Sequence, residues 1–184
     1  DTTVGDNVQY GVYLSSLKAT AQKERAVTLN INGGTITGTK NGVYVYGPGS
    51  SKYGTVKASI TGGTVSDVMV STGDGPKTPV DIAISGGTIT GALTSLGTNE
   101  VAISGGTIIG DLKQNGKNAT ISITGGTIGG ALNNTNGTIT VTGGTFTTAD
   151  PSNYLADGYE FVNGQVTSGS STTAWMRRFA IMRF

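Results

Sequence analysis

The chain has 184 residues, of which 31 are glycine and 12% are charged, and its formal net charge is +1. This length suffices for one domain with a sizeable core, and the many Ile, Val and Thr side chains argue against disorder. The chain contains no cysteine and no histidine, which excludes disulfides, thiolate or imidazole metal sites and a Ser-His-Asp triad within this chain. We therefore predict no metal and no cofactor.

The distribution of charge and hydropathy bears on the partners of the chain. Residues 1–170 contain all eleven acidic residues but only nine of the twelve basic ones, so the body of the chain has no basic surface suited to nucleic acid. No segment approaches the roughly 18 consecutive apolar residues of a membrane span. The sequence begins at Asp1 without a methionine or a signal peptide, from which we expect a processed form or an excised fragment.

The N-terminal part of the chain contains two similar predicted strands. YGVYLSS (10–16) and NGVYVYG (41–47) share a Gly-Val-Tyr motif, and the glycines of the two motifs are 31 residues apart. We interpret each motif as an additional strand of a wide repeat. The segment LKATAQKERA (17–26) between them is predicted to be a side excursion with a helical turn.

Gly-Gly-Thr then recurs six times, and the distance between copies falls from 29 to 18 residues. An apolar residue stands four positions and again two positions before each copy, with small or polar residues between, and another apolar residue follows three positions after the first glycine. This period of two is typical of a strand with one buried face. The triplets begin at Gly33, Gly62, Gly86, Gly105, Gly125 and Gly143.

One short strand of this kind cannot bury its apolar face, whereas stacked copies can, with equivalent residues in ladders about 4.8 Å apart. We predict an all-β fold, a single-stranded parallel β-solenoid over 1–146, for which variable coil length favours a right-handed β-helix over a left-handed one. Its coils shorten toward the C-terminus, from wide coils in 1–80 to narrow coils in 81–146. The seventh residue after the repeat glycine predicts a second inner ladder, formed by Met69, Leu93, Leu112 and Leu132.

The sequence changes character after the last triplet, and we predict a C-terminal cap over 147–169. Asp150 and Pro151 are expected to begin a helical turn, and YEFVNGQVT (159–167) reads as a small hairpin. A cap is expected here because the open end of a stack exposes apolar ladders and unpaired backbone.

The last residues, STTAWMRRFAIMRF (171–184), continue neither the repeat nor the cap. A short helix here would carry Trp175, Phe179 and Met182 on one face, so the tail 170–184 is interpreted as a cap helix or as an oligomer contact. An artificial or out-of-frame extension and a short membrane-active segment are the alternatives.

The segment GGTF…DPSNYLADGYEFV (143–162) resembles the closing segment of glycine/threonine-rich surface proteins of gut Gram-positive bacteria. In that group, ISGGTI-like repeats end in a Gly-Gly-Thr-Phe, Asp-Pro-Ser, Tyr-Leu, Gly-Tyr signature. Repeats and signature together cover about residues 27–166, and the repeats alone are also similar to adhesin and autotransporter-passenger solenoids. The resemblance implies a secreted or cell-wall-associated module, usually one part of a longer polypeptide, and it offers no catalytic motif.

Two candidate sites follow from the predicted stacking. Asp81 and Glu100 stand five residues before the repeat glycine on consecutive coils, where their carboxyls would approach the separation of about 5–5.5 Å found in retaining glycosidases. An exposed charged rim without catalysis is the alternative for these two. Five tyrosines are expected to cluster in the N-terminal coils: Tyr10, Tyr13, Tyr44, Tyr46 and Tyr53. Tyr13, Tyr44 and Tyr46 are the candidate ligand-binding residues among them, because exposed tyrosines can stack on sugar rings; packing at the end of the stack is their alternative.

Outward columns of Ser, Thr and Ala form a third candidate surface. They include Thr140 and Thr142 and predict a flat face of small side chains at regular spacing, as binding to an ice lattice would need. The threonine of each Gly-Gly-Thr triplet adds a six-residue ladder beside this face. Any solenoid rich in Ser and Thr produces the same regularity, because these residues suit strands and turns.

We expect a non-enzymatic extracellular module of a bacterial surface, either a rigid spacer or an adhesin segment. It would be secreted or cell-wall associated, with glycans or host surface molecules as partners and without nucleic acid or a membrane span. The alternatives are a polysaccharide-binding or polysaccharide-degrading β-helix protein and an ice-binding solenoid. The first function is favoured because the repeated glycines stand where the chain must change direction, which assigns them to the scaffold.

Overall fold

A computed structural model describes residues 8–16, 26–48, 54–73 and 80–169. In these ranges the protein is all-β: parallel strands form two hydrogen-bonded sheets, and the only helical element is one 3₁₀ turn. Residues 17–25 of the predicted excursion and the whole tail 171–184 lie outside the described residues.

The strands follow the repeat. From residue 80 to residue 146 each repeat contributes strands of two to five residues, whereas β2 and β4 have ten residues each. In chain order the strands are β1 (Tyr10–Ser15), β2 (Val27–Ile36), β3 (Asn41–Gly47), β4 (Val56–Val65), β5 (Val68–Thr72), β6 (Val80–Ile84), β7 (Thr88–Ile89), β8 (Leu93–Leu96), β9 (Glu100–Ile103), β10 (Thr107–Ile108), β11 (Leu112–Gln114), β12 (Thr120–Ile123), β13 (Thr127–Ile128), β14 (Leu132–Asn134), β15 (Thr138–Val141), β16 (Thr145–Phe146), β17 (Tyr159–Val162) and β18 (Gln165–Ser168). The 3₁₀ turn is Ser152–Tyr154.

The two sheets are built from equivalent strands of successive repeats. The six-stranded sheet has the order β1-β3-β5-β8-β11-β14. The larger sheet has two limbs that share β2 and β4: the first limb continues through β6, β9, β12 and β15, and the second through β7, β10, β13 and β16. Each repeat therefore passes through the first limb, the second limb and the six-stranded sheet in turn, and its strands pair in parallel with their equivalents in the next repeat.

The inward side chains form aliphatic columns in register, as the sequence predicts. The residue two positions before each triplet forms one such column in the first limb, and each member is at most 4% exposed. Burying one aliphatic side chain contributes about 1.5–3 kcal/mol, so these columns supply much of the folding free energy. The members of this column are Ile31, Ile60, Ile84, Ile103, Ile123 and Val141.

The Gly-Gly pairs lie where the chain turns from the first limb to the second. At the second glycine of each triplet φ is positive, between 74° and 104°, which is the left-handed region that glycine adopts without strain. At the first glycine the backbone approaches the repeat beneath it: a Cβ at Gly105 would collide with the carbonyl oxygen of Ser85. In the five triplets that follow the first, backbone geometry therefore requires both glycines at this corner, as expected for scaffold residues.

The predicted inner ladder of the six-stranded sheet is wrong at its first member. Met69 is in register with Thr94 and is not buried, whereas the fully buried Val68 is the partner of Leu93. Two residues separate Val65 from Val68, but three separate the equivalent Ile89 from Leu93. Because side chains alternate between faces, counting from the glycine shifts the register by one residue in the earlier repeat.

The C-terminal segment closes one end of the larger sheet. β17 and β18 form the predicted antiparallel hairpin, and β18 pairs with β16. Phe161 packs edge-on against the ring of Phe146 with the centroids 6.1 Å apart. The helical turn is a single 3₁₀ turn that begins at Ser152 rather than at Pro151, and a carboxylate oxygen of Asp150 accepts a hydrogen bond from its first amide at 2.9 Å.

Candidate functional site

The charged column of the first limb has the predicted register. Lys57, Asp81 and Glu100 lie on the adjacent strands β4, β6 and β9, each directly opposite the next. The ammonium of Lys57 lies 3.4 Å from a carboxylate oxygen of Asp81, and both side chains are about half exposed. An ion pair this exposed contributes little to stability, so the column is best described as a solvated charged surface.

A shallow groove of about 370 Å³ runs across this column. Its floor is formed by small outward residues of the same strands, including Ala83 and Ala102, and Asp81 and Glu100 stand along it. The groove therefore presents two carboxylates on neighbouring strands beside one lysine. Such an arrangement can hold an extended polymer by hydrogen bonds, and a pair of carboxyl groups on either side of the scissile bond is the minimum machinery of glycoside hydrolysis.

The outward hydroxyl columns also have the predicted register. The threonine of each Gly-Gly-Thr triplet is paired with the threonine of the next, which gives one uninterrupted ladder along the second limb. Hydroxyls beside the Gly-Gly corner also contact the preceding repeat: the exposed Thr61 and Thr124 donate to its backbone carbonyls at 3.3 and 3.4 Å. The ladder is Thr35, Thr64, Thr88, Thr107, Thr127 and Thr145.

Four of the five N-terminal tyrosines lie together in the structure, namely Tyr10, Tyr13, Tyr44 and Tyr46. The fifth, Tyr53, lies outside the described residues. Tyr13 and Tyr44 are paired across β1 and β3, and their ring centroids lie 5.3 Å apart with the planes at 71°. Tyr10 lies 5.8 Å from Tyr13 and 5.2 Å from Tyr44, and Tyr46 lies 6.1 Å from Tyr44. We call these four residues the tyrosine cluster.

The tyrosine cluster covers the outer face of the six-stranded sheet at its N-terminal edge. Tyr44 and Tyr46 alternate with Val43 and Val45, which are fully buried, so the tyrosines point away from the core. Tyr13 keeps 52% of its surface exposed. Partial burial raises the pKa of Tyr44 above its usual value, the neighbouring tyrosines add to this, and a hydrogen bond with Ser71 opposes it.

The sequence analysis missed a buried polar column inside the six-stranded sheet. Ser95 and Gln114 take inward positions and are completely buried, where the earlier strands β3 and β5 place valines. The hydroxyl of Ser95 donates to the side-chain oxygen of Asn99 at 2.7 Å, and the side-chain oxygen of Gln114 accepts from the Gly116 amide at 3.3 Å. Polar residues at inward positions of LTSL and LKQ were the available signal.

Within the described ranges no three His, Cys, Asp or Glu side chains gather as they would around a metal ion. The same ranges contain no helix with the length and apolar character needed to cross a bilayer. The class defined by these features is an all-β protein of parallel, in-register strands. A comparison with protein-family models, with curated proteins and with solved structures finds no match to this chain.

Proposed function

We propose that the chain is a right-handed parallel β-solenoid that acts as a non-enzymatic module of a bacterial surface, as a stiff spacer or adhesin segment. The observation that carries this proposal is the parallel, in-register pairing of equivalent strands in all three strand sets, which is irregular only between β2 and β4 at Asn32. In such a stack the hydrogen bonds run along the long axis of the structure. Bending or stretching it requires breaking whole ladders rather than single contacts.

The resemblance to glycine/threonine-rich surface proteins supports an extracellular location. Its closing signature, from Gly143 to Val162, coincides with β16, the 3₁₀ turn and β17, which close the C-terminal end of the stack. The exposed columns of Ser, Thr and Asn are uncharged, which suits a surface that stays hydrated without attracting counterions or nucleic acid. Secretion or attachment to a cell wall follows as part of the same proposal.

The absence of cysteine makes the stack measurable with spin labels. Cysteines at Ser59 and Thr140, four strands apart in one outward column, are expected to give one narrow distance distribution near 19 Å, from four steps of about 4.8 Å. A matched pair at Ser59 and Ala102 should give about half that distance. Broad distributions, or distances that do not scale with the number of strands, would overturn the solenoid.

The spacer role requires a separate measurement, because a solenoid need not bear load. Single molecules held by their two ends should unfold at a higher force than a helical bundle of similar length pulled in the same apparatus. Unfolding at an equal or lower force would remove the spacer proposal and leave the solenoid standing.

A second candidate function is polysaccharide degradation at Asp81 and Glu100, favoured by their adjacent positions in the groove of the first limb. Release of reducing ends from a panel of polysaccharides, lost in both Asp81→Asn and Glu100→Gln but retained in the control Ser122→Ala, would support it. An absence of turnover on every polymer would eliminate it. Binding of the threonine ladder to ice is tested by thermal hysteresis, and a solution without hysteresis eliminates that alternative.

A further inference from the structure

The tyrosine cluster is the largest aromatic surface of the described chain that the core does not use. Its strands already bury their inward side chains, Val43 and Val45 among them, without help from the tyrosines. The rings instead lie on the outer face, where Tyr13 is half exposed. Tyr10, Tyr44 and Tyr46 are partly buried beside it, so the cluster is a partly exposed aromatic patch. Such a patch has a cost in solubility, and on a Ser- and Thr-rich protein it marks a contact with another molecule.

The chemistry of this surface combines apolar ring faces with hydroxyl groups. Each phenol carries an oxygen that can both donate and accept a hydrogen bond, while the rings offer apolar contact area at a low conformational entropy cost. A sugar ring presents the complementary combination, with apolar C–H faces and hydroxyls around the rim.

The surroundings of the cluster favour an uncharged ligand. The next two outward positions in register with Tyr44 are Met69 and Thr94, and those in register with Tyr46 are Ser71 and Leu96. None of these four carries a charge. A single-stranded nucleic acid also stacks on aromatic rings, but it requires a cationic groove along its backbone, which these neighbours do not provide.

The angles between the ring planes further restrict the kind of ligand that fits this surface. The planes of the contacting pairs differ by 36° to 71°, so the four rings form a stepped surface and not a flat strip. A flat strip fits the face of a crystalline polymer, whereas a stepped surface fits one flexible chain whose successive sugar rings are turned relative to each other. We propose that the tyrosine cluster binds a soluble, neutral polysaccharide chain. This proposal does not depend on the spacer role.

Affinity electrophoresis of the full chain tests the proposal with defined polymers. The probes are a mixed-linkage β-glucan, a xyloglucan, an amylopectin and a galactomannan as neutral soluble chains, with crystalline cellulose, polygalacturonate and oligo(dT) for comparison. We expect retardation by at least one neutral soluble polymer. Tyr13→Ala should weaken that binding about threefold to tenfold through loss of one aromatic contact, whereas Tyr13→Phe should retain most of it.

The controls separate a binding surface from a general effect on the fold. Ile109→Ala removes another exposed apolar side chain, 54% exposed on the second limb, and should leave the affinity unchanged. Tyr13 lies on an edge strand and is itself exposed, so Tyr13→Ala should keep the far-UV circular dichroism spectrum and the melting temperature of the wild type.

Several results would overturn the proposal. They are an absence of retardation by any neutral soluble polymer, equal affinities of the wild type and Tyr13→Ala, and binding confined to cellulose, polygalacturonate or oligo(dT). A wild-type dimer that becomes a monomer in Tyr13→Ala, seen by sedimentation velocity without any neutral polysaccharide binding, would assign the cluster to contact between copies of the chain instead.

Discussion

In the triplets that follow the first, replacing either glycine by alanine is expected to destabilise the protein, but for a different physical reason at each of the two positions. Gly105 has an ordinary φ, but its Cβ would collide with the carbonyl of Ser85, and relieving such overpacking costs about 1–3 kcal/mol. Gly34 has φ of 79° and open space around its Cβ position, so alanine there meets only the left-handed strain of about 1–2 kcal/mol. Gly106 has both a positive φ and a close backbone neighbour, so Gly106→Ala should lower the free energy of unfolding by about 2–5 kcal/mol.

Gly33 provides the matched control, because it is the first glycine of the first triplet and no repeat lies beneath it among the described residues. Its Cβ position is open and its φ is not positive. Gly33→Ala should therefore be neutral or stabilise the protein by up to about 1 kcal/mol through the unfolded state. The free energies are compared by urea unfolding followed by far-UV circular dichroism.

A neutral result at Gly33 is informative only if the first repeat contributes to the measured transition. Ile31 lies in that repeat and is 4% exposed, so Ile31→Ala should lower the free energy of unfolding by about 2–5 kcal/mol. A loss of this size would show that the first repeat unfolds in the measured transition. Equal effects of Gly33→Ala and Gly105→Ala, with Ile31→Ala destabilising, would refute the close approach between repeats as the reason for the first glycine.

Three further predictions concern the corner carboxylate, the tyrosine cluster and the cap. Asp111 accepts a hydrogen bond from the next repeat at 3.0 Å, so Asp111→Ala should lose about 1 kcal/mol in urea unfolding. Asp111→Asn should stay within about 0.5 kcal/mol of the wild type, since its ion pair with Lys113 is exposed. Because the pKa of folded Tyr44 is raised above its unfolded value, the folded state retains a proton that the unfolded state loses, and stability should fall as pH rises above about 10. Melting temperatures in alkaline buffers should show a shallower fall in Tyr44→Phe; identical slopes would contradict the shift. Phe161→Ala should loosen the cap, lose about 2 kcal/mol and expose β16 to pairing with other molecules, which size-exclusion chromatography detects as association.

The strand pairing of the repeats could be predicted from the sequence because each glycine triplet marks an equivalent position from which residues can be counted. Residues counted a few positions from each triplet, such as Ile103 or Ile108, have the predicted register and burial. Counting failed farther from the triplet, at Met69, because the corner between the second limb and the six-stranded sheet varies by one residue. Because side chains in a strand alternate between the two faces, an error of one residue assigns a side chain to the wrong face.

The candidate sites were predictable only where their residues stand at a fixed number of positions from a glycine triplet. Asp81 and Glu100 stand at a fixed distance from their triplets, so their pairing was accessible from the sequence. The approach of Tyr10 to Tyr13 and Tyr44 depends on how side chains turn at the start of β1, which no count of residues gives. The burial of Gln114 was hidden for a different reason, since polar residues are ordinarily assigned to the outer face.

Because successive repeats pair in the same register, the number of repeats can change without changing the structure of each repeat. Deleting residues 105–124 would replace one Gly-Gly-Thr by the next, and Thr127 would then meet Thr88 while Leu132 would meet Leu93, pairs of the same kinds that exist now. A deletion of 19 or 21 residues from the same place would instead leave one residue too many or too few at the Gly-Gly corner, where the close approach between repeats leaves little room for it. If the chain is the solenoid proposed above, unequal recombination between copies changes its height in whole steps of about 4.8 Å and leaves its cross-section unchanged.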